Sequence, residues 1–573
     1  MTGTVLSEKA YEIANKRYFH TDGEGWENLS LRCGAEVAKV ETSTAQNYKE
    51  KFSELIYNMD FIPAGRILRN LGRIRGSLFN CYVLPLQDSI EEIGQFIKEC
   101  LIVWSEGGGI GVNGSYLRPE GTQIKGKGGH SSGPISFLKA ADSAASTIES
   151  GGQRRAAGLA LMLANHPDIL KFIDSKMVDG ILSYFNISVG VTEEFLECVE
   201  KNSDWDLTFN HQPYSTIPAR VIWNKIIENM VKHAEPGLLN WDKIRSNNSY
   251  YFDPITATNP CGEAALGNYG ICNLGSVPLT KYVSNVNTNW KKMEDSLRLA
   301  VRFLDNIIEI NKYILPQFDK AAHDGRRIGI GVMGLAEYLF MKKIRYGSKK
   351  SIVEIERLMK FIRDTTYDES IKLAQEKGAF TKFDPIQYGK AHFIRSLPAS
   401  TRMSIKKHGI RNVTLMAMAP TGTISLLPEV TSGIEPLFAK ATKRSDRVSE
   451  RIYIHPIYKE LLASGEEIPE WFVDSSDLNP SDHLDVQTIV QKYTDGAVSK
   501  TINMPKGTTP EQLSELLLEY IHDLKGVTVY VDGSREGQIL NTLTEQEART
   551  YIEESTSIAD ENSVQCASGK CEI

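Results

Sequence analysis

The sequence predicts an α/β protein with a largely parallel sheet or barrel. Short apolar runs at Leu78 to Leu86, Ile187 to Val191, Gly329 to Met333, Val413 to Ala419 and Val527 to Val531 read as buried strands. Between them lie amphipathic stretches such as Ile90 to Trp104, Met293 to Asn311 and Ile352 to Glu376. Strands that alternate with helices favour this class. The chain has 573 residues, 41% hydrophobic and 24% charged, which suits a soluble protein whose core needs no disulfide staple.

In order, residues 1–75 read as a helical region, with Tyr48 to Met59 a clear amphipathic helix. The strand over Leu78 to Leu86 carries Cys81 and opens the main α/β domain, 76–544. After the Ile90 helix comes a glycine-rich stretch, Gly107 to Gly114, then a glycine- and serine-rich loop from Pro119 to Pro134. Ala140 to Ser150 suits a helix, broken by Gly151 to Gly158, where Arg154 and Arg155 form a solvated pair or grip a nucleotide. The last stretch, 545–573, is polar and reads as a flexible tail.

The balance of 65 basic against 72 acidic residues gives a net charge of −7 and argues against nucleic-acid binding as the main role. Met1 to Lys16 has no signal-like apolar core, and no run reaches membrane-spanning length. A cytoplasmic location is therefore expected, where thiols stay reduced unless chemistry oxidises them.

The eight cysteines carry most of the functional signal. A lone cysteine is most often a small buried hydrophobe. Cys261, however, sits in Asn259-Pro260-Cys261-Gly262-Glu263, with an amide and a carboxylate each two residues away. A looped backbone can turn all three toward one substrate. Cys272 follows in Cys272-Asn273-Leu274-Gly275-Ser276, and Cys566 and Cys571 lie in the tail, either incidental there or suited to exchange with a buried disulfide. No Cys-x-x-Cys occurs, which disfavours a structural zinc site, and no metal ligands are assigned.

Two glycine-containing segments have competing readings. Gly329-Ile330-Gly331-Val332-Met333-Gly334 matches a dinucleotide fingerprint, but no acidic partner at the right spacing supports it. Close strand–helix packing is the better account. Pro420-Thr421-Gly422-Thr423-Ile424-Ser425 follows a strand-like run and is either an ordinary turn or a phosphate cradle of N–H groups and hydroxyls.

Together these motifs resemble the catalytic subunit of a ribonucleotide reductase, most like the adenosylcobalamin-dependent class II branch. The likeness runs from about Phe61 to Ile573. It is carried also by Phe79-Asn80-Cys81-Tyr82-Val83-Leu84-Pro85, Gly107 to Gly111, Gly128 to Pro134 and Arg326 to Leu335. The resemblance implies a ten-stranded α/β barrel of two five-stranded halves, with a finger loop carrying the radical cysteine to its centre. It implies that Cys261 becomes a thiyl radical, that Glu263 is the base on the ribose 3′-hydroxyl, and that Asn259 hydrogen-bonds the ribose. Cys81 and Cys272 would be the reducing dithiol. Cys566 and Cys571 would reduce their disulfide and be recharged by thioredoxin or glutaredoxin.

It further implies that Pro420, Thr421, Gly422, Thr423, Ile424 and Gly109 contact the substrate, expected here to be a ribonucleoside diphosphate. Asp88, Ser89, Ile90 and Arg118 would contact a deoxynucleoside triphosphate or ATP effector at a homodimer interface. Ser131 to Gly133 and Gly151 to Gly158 resemble the two effector-responsive loops. No membrane or nucleic-acid partner is implied.

Pro260 and the spacing of eleven between Cys261 and Cys272 fit class II. So does the single tyrosine of Val527-Thr528-Val529-Tyr530-Val531, where class I has two adjacent ones. The Cys-x4-Cys tail instead resembles class I. A class I-type subunit needing a separate metal-containing partner is therefore the alternative. Only 80 residues precede Cys81, leaving little room for an ATP-cone domain, so shut-off by dATP is not expected. A regulatory nucleotide-binding protein without radical chemistry would leave five well-placed cysteines unexplained. A simple thiol oxidoreductase would leave the phosphate-type segment unexplained.

Overall fold

The computed structural model describes residues 6–552 apart from 22, 42–44, 125, 127, 151–153, 178–179, 446–449 and 535–539. The tail cysteines Cys566 and Cys571 and the start of the Gly151 to Gly158 loop lie outside the described residues. Near the N-terminus, helices Glu8–Arg17, Trp26–Ala38 and Ala45–Tyr57 agree with the helical reading.

Two sheets hold the centre of the molecule. Their strands, in chain order, are β1 (Ile62–Pro63), β2 (Cys81–Val83), β3 (Gly109–Asn113), β4 (Ala157–Leu163), β5 (Phe185–Val191), β6 (Gly237–Asn240), β7 (Ile271–Cys272), β8 (Leu274–Pro278), β9 (Gly329–Met333), β10 (Thr501–Met504) and β11 (Gly526–Val531). The larger sheet has eight strands in the order β7-β2-β3-β4-β5-β6-β11-β10. Strands β2 to β6 run parallel, and β7 and β11 flank them antiparallel. The smaller sheet is β1-β8-β9, with β8 and β9 parallel.

The parallel strands are buried along most of their length, as expected where helices cover the sheet. Helix Ile90–Ser105 shows how the sequence builds that cover. Ser89 caps it by accepting from the Glu92 amide at 3.1 Å, with Glu91 and Glu92 in the first turn. Ile93, Phe96, Cys100, Val103 and Trp104 recur at helical spacing and form its buried face. Helix Trp290–Ile310 follows the same plan, capped by Asn289 through the Lys292 amide at 3.0 Å.

Three expectations need adjustment. The Val413 to Ala419 run forms only isolated parallel bridges, Ile330 with Met416 and Met418 with Val498, rather than a regular strand. The helix expected over Ala140 to Ser150 is instead Gly133–Ala145, because Gly133 and Pro134 open it inside the expected loop. Ladder pairing among the described residues leaves the two central sheets separate and does not close them into a ring. At Gly329 to Gly334, a Cβ on Gly331 would stand 2.7 Å from the Ala417 carbonyl oxygen. Close packing explains that glycine without a nucleotide.

Candidate functional site

A short hairpin, Ala257–Thr258 paired with Ala265–Leu266, carries the Asn259 to Glu263 motif. Its turn is local chemistry. Pro260 and Gly262 occupy the second and fourth places of a turn closed by the Gly262 amide on the Asn259 carbonyl at 3.0 Å. These are favoured places for proline and glycine. Gly262 has φ +80°, a backbone that side chains rarely adopt. Asn259 locks the far side, its side-chain Oδ1 accepting from the Ala264 amide at 2.9 Å.

The hairpin lies against β3 at a distance only glycine permits. A Cβ on Gly111 would fall 1.8 Å from the Thr258 carbonyl oxygen, and one on Gly109 would meet Pro260 Cγ at 2.9 Å. Asn113 Nδ2 donates to the Thr256 carbonyl at 2.9 Å and fixes the hairpin's base. The glycine-rich stretch thus seats the hairpin, and Gly109 touches it through Pro260.

Cys81 and Cys272 face each other as register partners across antiparallel β2 and β7. Both are buried. Asn259 Nδ2 donates to Cys81 Sγ at 3.4 Å, which joins the dithiol to the hairpin. Burial pushes the Cys272 thiol well above its usual range, and Cys81, Glu263 and Cys261 push it the same way. Cys272 therefore holds its hydrogen at neutral pH.

Glu263 is buried, and burial holds its carboxyl above the usual carboxylate range against the opposing Asn259 hydrogen bond. Its Oε2 has no partner among the described residues. Unsatisfied buried acceptors are uncommon, and a catalytic role is one of the explanations for them. Cys261 is exposed at the tip of the turn. It opens on a cavity of about 190 Å³ walled by Asn186, Ser188, Gly237, Val498 and Thr528 among others.

In the Pro420 to Ser425 segment, Thr421 adopts φ +51° and its Oγ1 accepts from the Gly433 amide at 2.8 Å. The Ser425 amide returns to the Thr421 carbonyl at 3.0 Å. Among the described residues the amides of Gly422 and Thr423 donate to no acceptor. Thr423 and Ser425 border a cavity of about 1070 Å³ that Asn503 and Tyr530 also line.

Away from this centre, Asp88 and Arg118 pair at 2.8 Å beside Ser89, and Ile90 is exposed at the start of its helix. Ser131 Oγ accepts from the Gly133 amide at 3.1 Å. One wall of the site went unnoticed in the sequence, the segment Asp495 to Lys500. Ala497 donates its amide to the Glu263 carbonyl at 2.8 Å, and Val498, Ser499 and Lys500 border the Cys261 cavity. The apolar run Ala497-Val498 was its one legible signal.

Residues 79–530 match the family model for the ribonucleotide reductase barrel domain. A vitamin B12-dependent ribonucleoside-diphosphate reductase from Mycobacterium tuberculosis is 34% identical, over 94% of this chain and 81% of that protein. One of the same name from Thermoplasma acidophilum is 35% identical, over 92% of this chain and 72% of that protein. The ribonucleoside-diphosphate reductase subunit alpha of Chlamydia pneumoniae is 26% identical, over 80% of this chain and 49% of that protein. On this extent of agreement, the chain belongs to the ribonucleotide reductase family.

Proposed function

We propose that the chain reduces ribonucleoside diphosphates to 2′-deoxyribonucleotides with adenosylcobalamin as its radical source. The observation that carries the reading is the facing pair Cys81 and Cys272, joined by Asn259 to the hairpin that bears Cys261 and Glu263. The Cys261 thiyl takes the ribose 3′-hydrogen. Glu263 accepts the 3′-hydroxyl proton, and Asn259 hydrogen-bonds the ribose. The 2′-hydroxyl leaves as water. Cys81 and Cys272 give two electrons and two protons and become a disulfide, and Cys261 regains its hydrogen. The sum is one ribonucleotide and one dithiol converted to one deoxyribonucleotide, one disulfide and water.

The Cys261 cavity is the test of cofactor fit. It is smaller than the ~300–1,000 Å³ usual for a whole drug-sized ligand, so it would admit only part of a large cofactor. Asn186, Ser188 and Thr528 would hold that part. When bound, the cobalamin supplies the radical that Cys261 takes up. The B12-dependent relatives support this over the class I-type alternative, since they cover far more of their own length than the subunit alpha relative.

Within this proposal, Pro420 to Ile424 and Gly109 hold substrate, supported by the unused amides of Gly422 and Thr423. Asp88, Ser89, Ile90 and Arg118 receive a deoxynucleoside triphosphate or ATP effector at a homodimer interface. Cys566 and Cys571 carry electrons from thioredoxin or glutaredoxin to the buried disulfide, in the cytoplasm. The ten-strand closure belongs here too: the bridges at Met416 and Met418 link β9 toward β10, and β8 continues from β7. Mass-spectrometric mapping after one turnover tests the core claim. A Cys81–Cys272 disulfide formed in step with product supports it, and product without that disulfide refutes it.

A further inference from the structure

Two parts of the site are tied to one buried carboxylate. Asp495 follows helix Pro480–Lys492 and is buried. Its Oδ2 accepts from the Tyr367 hydroxyl and the Leu415 amide, each at 2.8 Å. Its Oδ1 accepts from the Met416 and Gly496 amides, each at 2.8 Å. A carboxylate offers about four acceptor sites, and all of them are used.

The next two residues reach the chemistry. Gly496 donates its amide to the Met416 carbonyl at 3.0 Å, and Ala497 donates to the Glu263 carbonyl at 2.8 Å. The approach is close: a Cβ on Gly496 would stand 2.3 Å from the Met416 oxygen. From the other side, buried Lys525 sends Nζ to the carbonyls of Asp495 at 2.6 Å and Gly496 at 2.8 Å. Gln491 Nε2 adds a bond to the Gly496 carbonyl at 3.1 Å.

We infer that Asp495 and Lys525 are positioning residues for the reduction proposed above, holding the Glu263 backbone and the root of the Pro420 to Ser425 turn in one register. The inference rests on that reading for its function. Leu415 and Met416 lead within a few residues to Pro420, and Ala497 holds Glu263. Asp495 is thus the shared origin from which base and phosphate segment are both placed. A displacement of about 1 Å in such a frame costs on the order of 100-fold in rate.

Lys525 suits this role in either protonation state. Burial pushes its ammonium down to about 7, with Asp495 opposing and Arg327 and Lys243 adding to the shift. A neutral amine keeps two N–H donors, one for each carbonyl. Besides burial, the groups that bear on Glu263 in this frame are Asn259, through a hydrogen bond, and Cys272, with which it interacts electrostatically.

The test uses Asp495→Asn, Lys525→Met and Tyr367→Phe in the full chain. Infrared titration follows the protonated-carboxyl band that Glu263→Gln removes, and kcat and KM are read on a ribonucleoside diphosphate with adenosylcobalamin and dithiothreitol. Asp495→Asn and Lys525→Met are expected to lower kcat about 100-fold per folded molecule. They are also expected to shift the Glu263 band's midpoint downward, because a loosened 495–497 segment admits water. Tyr367→Phe removes one bond of the set and should move both readouts the same way by less. If the first two variants do not fold, Tyr367→Phe decides. Folded variants with wild-type kcat and an unmoved midpoint would overturn the inference. The band needs no turnover, so wild-type protein that fails to reduce ribonucleotides sinks the functional reading, while the midpoint still judges the positioning role.

Discussion

At the residue scale, the site separates its thiols by environment. Cys261 is exposed to a cavity, whereas Cys81 and Cys272 are buried, and burial holds the Cys272 thiol protonated. Replacing Cys261 with serine should abolish reduction, since an alcohol O–H is a much harder hydrogen source than a thiol. Cys81→Ser or Cys272→Ser should stop normal deoxynucleotide formation while leaving substrate binding within about twofold, because no dithiol remains to give two electrons. Product assays beside equilibrium binding check both, and deoxynucleotide at the wild-type rate from either class of variant would contradict the roles.

Glu263 adds a pH dependence at the same scale. Its carboxyl is held above the ordinary range by burial, and only the ionised form can accept a proton. The acid limb of kcat/KM should therefore fall above the ordinary glutamate value of about 4.3, and Glu263→Gln should remove it. For stability the sign is opposite. Between the ordinary value and the raised one, the native state holds a proton that the unfolded chain has lost. This residue's contribution is therefore complete below the ordinary value and is lost as pH rises through the raised one. Rate profiles and denaturant unfolding across the same pH range measure the two signs separately.

At the element scale, the hairpin depends on a strand with no side chains in its way. Gly111→Ala would put a methyl 1.8 Å from the Thr258 carbonyl as the backbone now stands. The hairpin must shift, at a cost of about 1–3 kcal/mol in stability and on the order of 100-fold in kcat. Thermal unfolding and steady-state kinetics check this, and a variant with wild-type kcat would mean that β3 does not seat the hairpin. In the proposed scheme the tail thiols act after the chemistry. Cys566→Ser or Cys571→Ser should complete a pre-reduced single turnover and then stall with thioredoxin, while dithiothreitol restores cycling. Rapid quench reads this as a normal burst without a steady state.

Elements also show what the sequence could reveal. Gly329 to Met333 was legible to the residue, and Ile90 to Trp104 nearly so, because local periodicity and an N-cap define them. Val413 to Ala419 reads as a strand by composition but lies between the two sheets, where only bridges form. The pairing of Cys81 with Cys272 came through resemblance, since 191 positions separate them and no local pattern encodes a register. Asp495 and Lys525 were illegible because their role lies wholly in long-range backbone bonds.

At the scale of the whole molecule, one buried core runs from the N-terminal helices through both sheets. Arg302, buried in helix Trp290–Ile310, pairs with Glu41 at 3.0 Å and ties that helical region to the sheet-covering layer. No helix among the described residues is long and apolar enough to cross a membrane. On the proposed function, this frame with a cobalamin and a dithiol is a sufficient reductase without a metal-bearing second subunit. Purified chain alone, given adenosylcobalamin, a ribonucleoside diphosphate and dithiothreitol, tests that most directly. The expected result is deoxynucleotide at many turnovers per chain, dependent on the cobalamin. Cobalamin-independent turnover that appears only when a metal-loaded second subunit is added would contradict it.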